Sequence, residues 1–316
     1  MIVSLKHLIY VLTLTLYFIV IISLYLQVLD GDDDVETEGG IFTVDQSRYS
    51  FGDHSDSVYC VRIHPHIDGL VITGGGDDKA YIWRYDSAGQ AVQAIELAGH
   101  SDSVATVGFN YDGKFALTGA YDGLVKVWDV QTGALVCQLE GPEDVEWCQW
   151  HGKGNAIVAG SADSTVWMWL TSVTAPNPDT NTSVSTGQCV QVFAGHDGAV
   201  SSGCFTSDGK AVCSGGEDGS VRIWAPKTGI CKHVFEGHSG HSMAVNCMST
   251  HSSEPELLLT GSMDGSVLLL QINTLKVLQT FVHCVGSGMY ITITITITIS
   301  VFLSVSYVFI VCEQYS

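Results

Sequence analysis

Four histidines stand at a fixed distance from an aspartate and a hydroxyl. His54, His100, His196 and His241 precede Asp77, Asp122, Asp218 and Asp264 by 22 or 23 residues. Thr73, Thr118, Ser214 and Thr260 lie four residues before those aspartates. Imidazole, carboxylate and hydroxyl are the parts of a hydrolytic triad, in which the imidazole takes the hydroxyl proton and the carboxylate orients the imidazole. A hydrolase needs one such site, and this chain carries four in register. The recurrence points to a structural network in which each buried polar group satisfies the next. Trp83, Trp128 and Trp224, six residues after their aspartates, would add an indole N–H to the hydroxyl. A further set has Asp163 and Trp169, but Ala159 replaces the hydroxyl and Glu143-Asp144 replaces Gly-His. That unit is expected to be the least rigid or a specialised one.

Other chemistry-bearing motifs are weaker. "GFNYDGKF" (Gly108 to Phe115) matches a phosphate loop up to the lysine, but Phe115 stands where a magnesium-binding Ser or Thr belongs. It falls where a hairpin turn on Asp112-Gly113 is expected. His64-Pro65-His66 reads as a solvated turn, and Asn181 begins a glycosylation sequon. The 10 cysteines form no C-x-x-C pair, and most sit in apolar runs, as free buried thiols in a reducing compartment do. The residues offer no convergent nucleophile, acid/base pair, metal cluster or cofactor motif, so an enzyme is the last reading.

The elements that carry these residues repeat. Five segments end a short strand alike, at Trp83, Trp128, Trp169, Trp224 and Leu270, with spacings of 45, 41, 55 and 46 residues. The long spacing contains a polar insertion, Thr171 to Gly187. This period and ending are the signature of WD-repeat propeller blades, each of four short strands between Gly, Asp and Asn turns. The expected fold is all-β: a WD-repeat β-propeller of about five recognisable blades, truncated from a larger ring, with apolar segments outside it at both ends.

"TGGGDDKAYIWR" (Thr73 to Arg84), "VEWCQWH" (Val145 to His151) and "AGSADSTVWMW" (Ala159 to Trp169) resemble the angio-associated migratory cell protein family. The degenerate third unit is the most specific part of the likeness, which runs from about Ile41 to Val285. The resemblance implies a cytoplasmic scaffold without known catalysis, linked in animals to cell migration and angiogenesis. It extends to a fungal relative that escorts a newly made ribosomal protein. The family pattern continues beyond a fifth blade, whereas this chain leaves it at about Gly286.

Charge points to a partner. There are 13 Lys+Arg against 33 Asp+Glu, a formal net charge of -20. That excludes the basic surface nucleic acid requires and favours a basic protein or peptide. In a propeller the loops into each first strand and the turns after each second strand share one face. Here they carry Asp53, Asp56, Asp78, Asp102, Glu143, Asp144, Asp197 and Glu217, with Lys79 the one basic residue nearby. Glu146 and Trp147 would add a carboxylate and an aromatic anchor. Lys114, Lys153, Lys210 and Lys227 fall in turns of the opposite face.

The two ends differ from the middle. Leu8 to Leu29 is uncharged and long enough to span a bilayer. Residues 1–30 read as an anchor or a gene-model artefact, 31–40 as an acidic linker, 41–286 as the propeller and 287–316 as an apolar low-complexity tail. The alternative function is therefore a membrane-tethered WD-repeat adaptor. A ubiquitin-ligase receptor is disfavoured, because Trp128-Asp129 is followed by Val130-Gln131 and not by x-Arg.

Overall fold

The computed structural model describes residues 51–85, 91–171 and 185–282. The apolar run at 8–29, the linker, residues 41–50, Asn181 and the tail from 287 lie outside them. The backbone divides into two compact units, Met1–Gly52 with Tyr85–Val92, and Asp53–Arg84 with Gln93–Ser316. Apart from Tyr85, Ala91 and Val92 at the ends of two strands, the residues discussed below belong to the second.

The strands are short, rich in Val, Ile, Leu and aromatic residues, and interrupted by Gly and Asp turns, a pattern that favours antiparallel hairpins. Blade 1 is β1 (Val58–Ile63), β2 (Leu70–Gly75), β3 (Ala80–Tyr85) and β4 (Ala91–Leu97), neighbours in that order. Blade 2 is β5 (Val104–Phe109), β6 (Phe115–Ala120), β7 (Val125–Asp129) and β8 (Leu135–Leu139). Blade 3 begins with β9 (Val145–Trp150), β10 (Ala156–Ser161) and β11 (Thr165–Leu170). After the insertion the chain forms β12 (Ser185–Thr186), parallel to β8 of blade 2, and then β13 (Gln188–Ala194), which completes blade 3. Ser185–Thr186 thus pairs part of the outer edge of the preceding blade, which blunts an exposed strand edge. Blade 4 is β14 (Ser202–Phe205), β15 (Val212–Gly215), β16 (Val221–Trp224) and β17 (Cys231–Phe235). Blade 5 is β18 (Val245–Thr250), β19 (Leu257–Ser262), β20 (Ser266–Gln271) and β21 (Lys276–Val282).

The inner strands β1, β5, β9, β14 and β18 are neighbours in that order. Each blade therefore packs its face on the next. Four apolar clusters draw on consecutive pairs: Ile72, Ile82 and Leu97 with Val104 and Trp128; Leu117, Val127 and Leu139 with Trp150 and Trp169; Val158 and Phe193 with Val200 and Trp224; Ile223 and Phe235 with Val245 and Leu258. Burying one such side chain fully contributes about 1.5–3 kcal/mol, so the blade-to-blade seams are the core.

Turns between second and third strands need a left-handed residue. Gly123, Gly219 and Gly265 supply it at φ 75°, 73° and 78°. Blades 1 and 3 use Asp78 (φ 62°) and Ser164 (φ 70°) there.

Candidate functional site: the acidic end of the blades

The histidine loops and the aspartate turns meet at one end of each blade. His54 Nδ1 lies 2.9 Å from Asp77 Oδ1, and its Nε2 lies 3.0 Å from Thr73 Oγ1. His100 repeats this with Asp122 (2.9 Å) and Thr118 (2.7 Å), and the Trp128 indole donates to Thr118 Oγ1 at 2.9 Å. In blade 4 His196 meets Asp218 (3.1 Å) and Ser214 (2.8 Å), and Trp224 donates to Ser214 Oγ at 2.7 Å. These contacts tie the loop before each inner strand to the turn after the second strand, so both lie at one end of the blade.

In blade 4 the Asp218 carboxylate can only accept, which calls for the proton on His196 Nδ1 and leaves Nε2 as an acceptor. Ser214 Oγ accepts from Trp224 and gives its own hydrogen to that Nε2. Burial pushes the His196 imidazole below its ordinary value, against the opposing pull of Asp218. Burial also raises the Asp218 carboxyl, but hydrogen bonds from the Asp197 and Ser220 N–H groups and the Ser220 hydroxyl outweigh it and hold the carboxyl low. His196 is 6% exposed, so its imidazole is closed off from solvent within the network.

Blade 5 varies the arrangement. His241 Nε2 is 2.9 Å from Thr260 Oγ1, but Nδ1 meets Ser266 Oγ at 2.9 Å, with Asp264 farther off at 3.5 Å. Asp264 instead accepts from the N–H groups of Ser242 and Ser266, each at 2.8 Å.

Blade 3 is not simply missing its network. The fully buried Ser161 hydroxyl accepts from the N–H groups of Glu143 and Asp163, each at 3.2 Å. Asp163 accepts from the Thr165 N–H (2.9 Å) and hydroxyl, and the Trp167 indole donates to Thr165 Oγ1 at 2.7 Å. Trp167, not Trp169, is the polar tryptophan of this blade. Trp169 is 1% exposed and stacks on Trp167 with centroids 6.1 Å apart. The signal was present in the sequence: Gly-Ser-x-Asp occurs in this unit and again at Gly261-Ser262, where Ser262 likewise accepts from Asp264 N–H at 3.1 Å.

Of the sequence-derived partner residues, Asp53, Asp56, Asp102, Glu143, Asp144, Asp197 and Glu217 are exposed. Asp56 and Asp102 each cap the N–H of the next serine, at 2.6 and 2.7 Å. Asp78 is half-buried as the left-handed turn residue of its hairpin, so it contributes less surface than expected. Glu146 is half-buried on the inner strand β9, and its carboxyl is raised by burial first and then by Asp144 and Glu217. Three carboxylates from blades 3 and 4 thus share one electrostatic neighbourhood.

Lys79 does not offset them, because it pairs with Glu96 at 3.1 Å. Sequence reasoning missed Lys126, which is buried at 4% and donates to the Gly99 carbonyl beneath the same end of blade 2. Burial lowers its ammonium, against Asp122.

Two expectations are corrected. Trp147 is not an exposed anchor: it is 8% exposed and wedged between Gly160 of its own blade and Gly203 of the next. Strand alternation turns it into the seam while Glu146 faces out. His64 is not solvated either. It is 6% exposed, and its Nε2 donates to the Gly113 carbonyl at 2.8 Å. Lys114, in the phosphate-loop look-alike, pairs with Asp112 at 3.1 Å within its own hairpin turn. Eight cysteines among the described residues are free thiols, and Cys189 is the exposed one. Among the described residues no group of His, Cys, Asp and Glu could hold a metal ion, and no helix is long and apolar enough to cross a membrane.

The WD domain, G-beta repeat model matches residues 45–84, 91–129, 133–169, 187–225 and 229–269. The chain is 39% identical over 237 residues to the angio-associated migratory cell protein of Pongo abelii and 38% identical to that of Homo sapiens, covering 75% of this chain and 50% of each relative. It is 31% identical over 148 residues to a ribosome assembly protein of Saccharomyces cerevisiae, covering 44% of this chain and 34% of that one. The chain spans about half the length of the mammalian relatives it matches.

Proposed function

The chain belongs to the WD-repeat family, and on that premise we propose that it is a non-catalytic scaffold whose acidic blade end binds a basic segment of another protein. WD-repeat homologues point to protein interaction as the broad role, and one relative is named for ribosome assembly. The observation that carries the finer reading is Glu146. Its half-buried carboxyl is raised by burial first and then by Asp144 and Glu217, so three carboxylates share one neighbourhood. A lysine or arginine side chain placed among these carboxylates would relieve that repulsion and form charge-assisted hydrogen bonds. The exposed Asp53, Asp56, Asp102 and Asp197 extend the field and would steer a basic partner toward it.

The test is titration with a synthetic lysine- and arginine-rich peptide at several salt concentrations. Joint replacement of Asp53, Asp56 and Asp102 by Asn and of Glu217 by Gln is expected to weaken binding and flatten its salt dependence. Equal affinity and equal salt slope in the two proteins would sink the proposal.

A further inference from the structure

At the end opposite the acidic one, histidines latch one blade to the next. His64 Nδ1 accepts from the N–H groups of His66 (3.1 Å) and Ile67 (2.8 Å), which puts the ring proton on Nε2. That Nε2 donates to the Gly113 carbonyl of blade 2 at 2.8 Å. The ring meets Phe109 edge-on at 4.9 Å and covers Gly113 so closely that a Cβ there would stand 2.3 Å from it. His151 sits the same way between blades 3 and 4. Its Nδ1 accepts from Lys153 N–H (3.2 Å), its ring meets Phe205 at 5.0 Å, and it covers Gly209, where a Cβ would stand 1.9 Å away.

Blade 5 carries the same latch in His251. Its Nδ1 accepts from the N–H groups of Ser253 (3.3 Å) and Glu254 (3.1 Å), so its proton also lies on Nε2. Among the described residues that Nε2 makes no hydrogen bond. Among the described residues the apolar cluster of Leu259 and Val267, with Cys247, Leu269 and Phe281 against it, has members in blade 5 only, whereas the clusters at the seams from blade 1 to blade 5 each span two blades.

The complementary half lies on blade 1. Asp68-Gly69 occupies the turn position of Asp112-Gly113 and Asp208-Gly209, with φ of 76° at Gly69 against 73° and 71°. Ile63 occupies the position of Phe109 and Phe205, and it is 37% exposed where Phe205 is 5%. His251 and Gly69 are not bonded to each other in this structure.

We propose that blade 5 of one copy docks on blade 1 of a second copy, with His251 Nε2 donating to the partner copy's equivalent of the Gly69 carbonyl. A second copy is the favoured occupant because this chain carries both halves of the contact, histidine and glycine turn. The contact is head-to-tail, not self-complementary.

The test is photo-crosslinking in the full chain, from a photoreactive amino acid placed at position 251, in a mixture of isotopically light and heavy copies. Mixed light–heavy cross-links from 251 into residues 63–70 are expected. Cross-links confined to one chain, or none reaching 63–70, would overturn the proposal. Sedimentation equilibrium gives the second readout. His251→Ala and, from the other side, the surface change Ile63→Asp should each weaken self-association at least tenfold. Because Ile63 is exposed, that variant reads the contact even if His251→Ala fails to fold. Unchanged self-association in Ile63→Asp, or a chain that stays monomeric at every concentration, would also reject the proposal.

Discussion

The indole of Trp147 fills the space that a side chain on Gly203 would need. A Cβ built on Gly203 would stand 2.0 Å from Trp147 Cζ2, and one on Gly160 would stand 2.0 Å from Nε1. The inner-strand residues paired with the corresponding glycines elsewhere are Cys60, Thr106, Ser202 and Cys247, all small. Blade 3 alone puts a tryptophan there, and blade 4 accommodates it with a glycine. Gly203→Ala should destabilise the protein by about 1–3 kcal/mol through overpacking. The double variant Trp147→Thr with Gly203→Ala should cost less than the sum of the two single changes, because they share one cavity. Urea denaturation of the four proteins measures the coupling, and strict additivity would refute it.

Ser214 links two buried groups, the Trp224 N–H and His196 Nε2, and is itself fully buried. Ser214→Ala leaves both without their partner. The expected loss is about 1–3 kcal/mol or more, since each orphaned buried group carries its own desolvation penalty. A change below 0.5 kcal/mol in chemical denaturation would show that water or relaxation replaces the hydroxyl.

Blade 3 should depend on Thr165 in the way the other blades depend on Ser214 or Thr118. Its hydroxyl joins the Trp167 indole to Asp163. Thr165→Val keeps the shape and removes the link, and should cost about 1–2 kcal/mol. Ala159→Ser, which restores the repeat pattern at a fully buried position, should not rescue it, because no histidine stands opposite. Rescue by Ala159→Ser would mean that blade 3 retains the same network as its neighbours.

The periodic residues were legible in the sequence because one physical problem recurs in every blade. A buried turn must satisfy its polar groups, and His, Ser or Thr, and Asp at fixed spacing do so at His100, Thr118 and Asp122. What lay hidden was pairwise. The fit of Trp147 to Gly203, and of His64 to Gly113, depends on residues 56 and 49 apart in the chain, and neither partner is unusual by itself. The return of β12 onto β8 was hidden for a further reason: a two-residue strand has no period to detect. The acidic end was legible as composition. Its centre at Glu146 was not, because half-burial is a property of the packed blade.

Acid should weaken the fold in two separable steps. Burial, opposed by Asp218 and Asp264, holds His196 and His241 below their ordinary values. The unfolded chain therefore takes up these protons first, below about pH 6.5, and stability falls with pH from there. Each such proton contributes at most about 1.4 kcal/mol per pH unit. The aspartates act later with the same sign. Burial raises Asp264, but hydrogen bonds from Ser266 and Ser242 and the nearby His241 bring it down to about 2. Its contribution is present above about pH 4 and is lost as pH falls toward about 2. Urea midpoints at pH 7.5, 6.5, 5.5 and 4.5 should decline from about 6.5 downward. Replacing both histidines by Gln should lower the midpoint at pH 7.5 and flatten the decline between 6.5 and 4.5. A wild-type midpoint constant from pH 7.5 to 4.5 would show that these imidazoles are not held neutral by the fold.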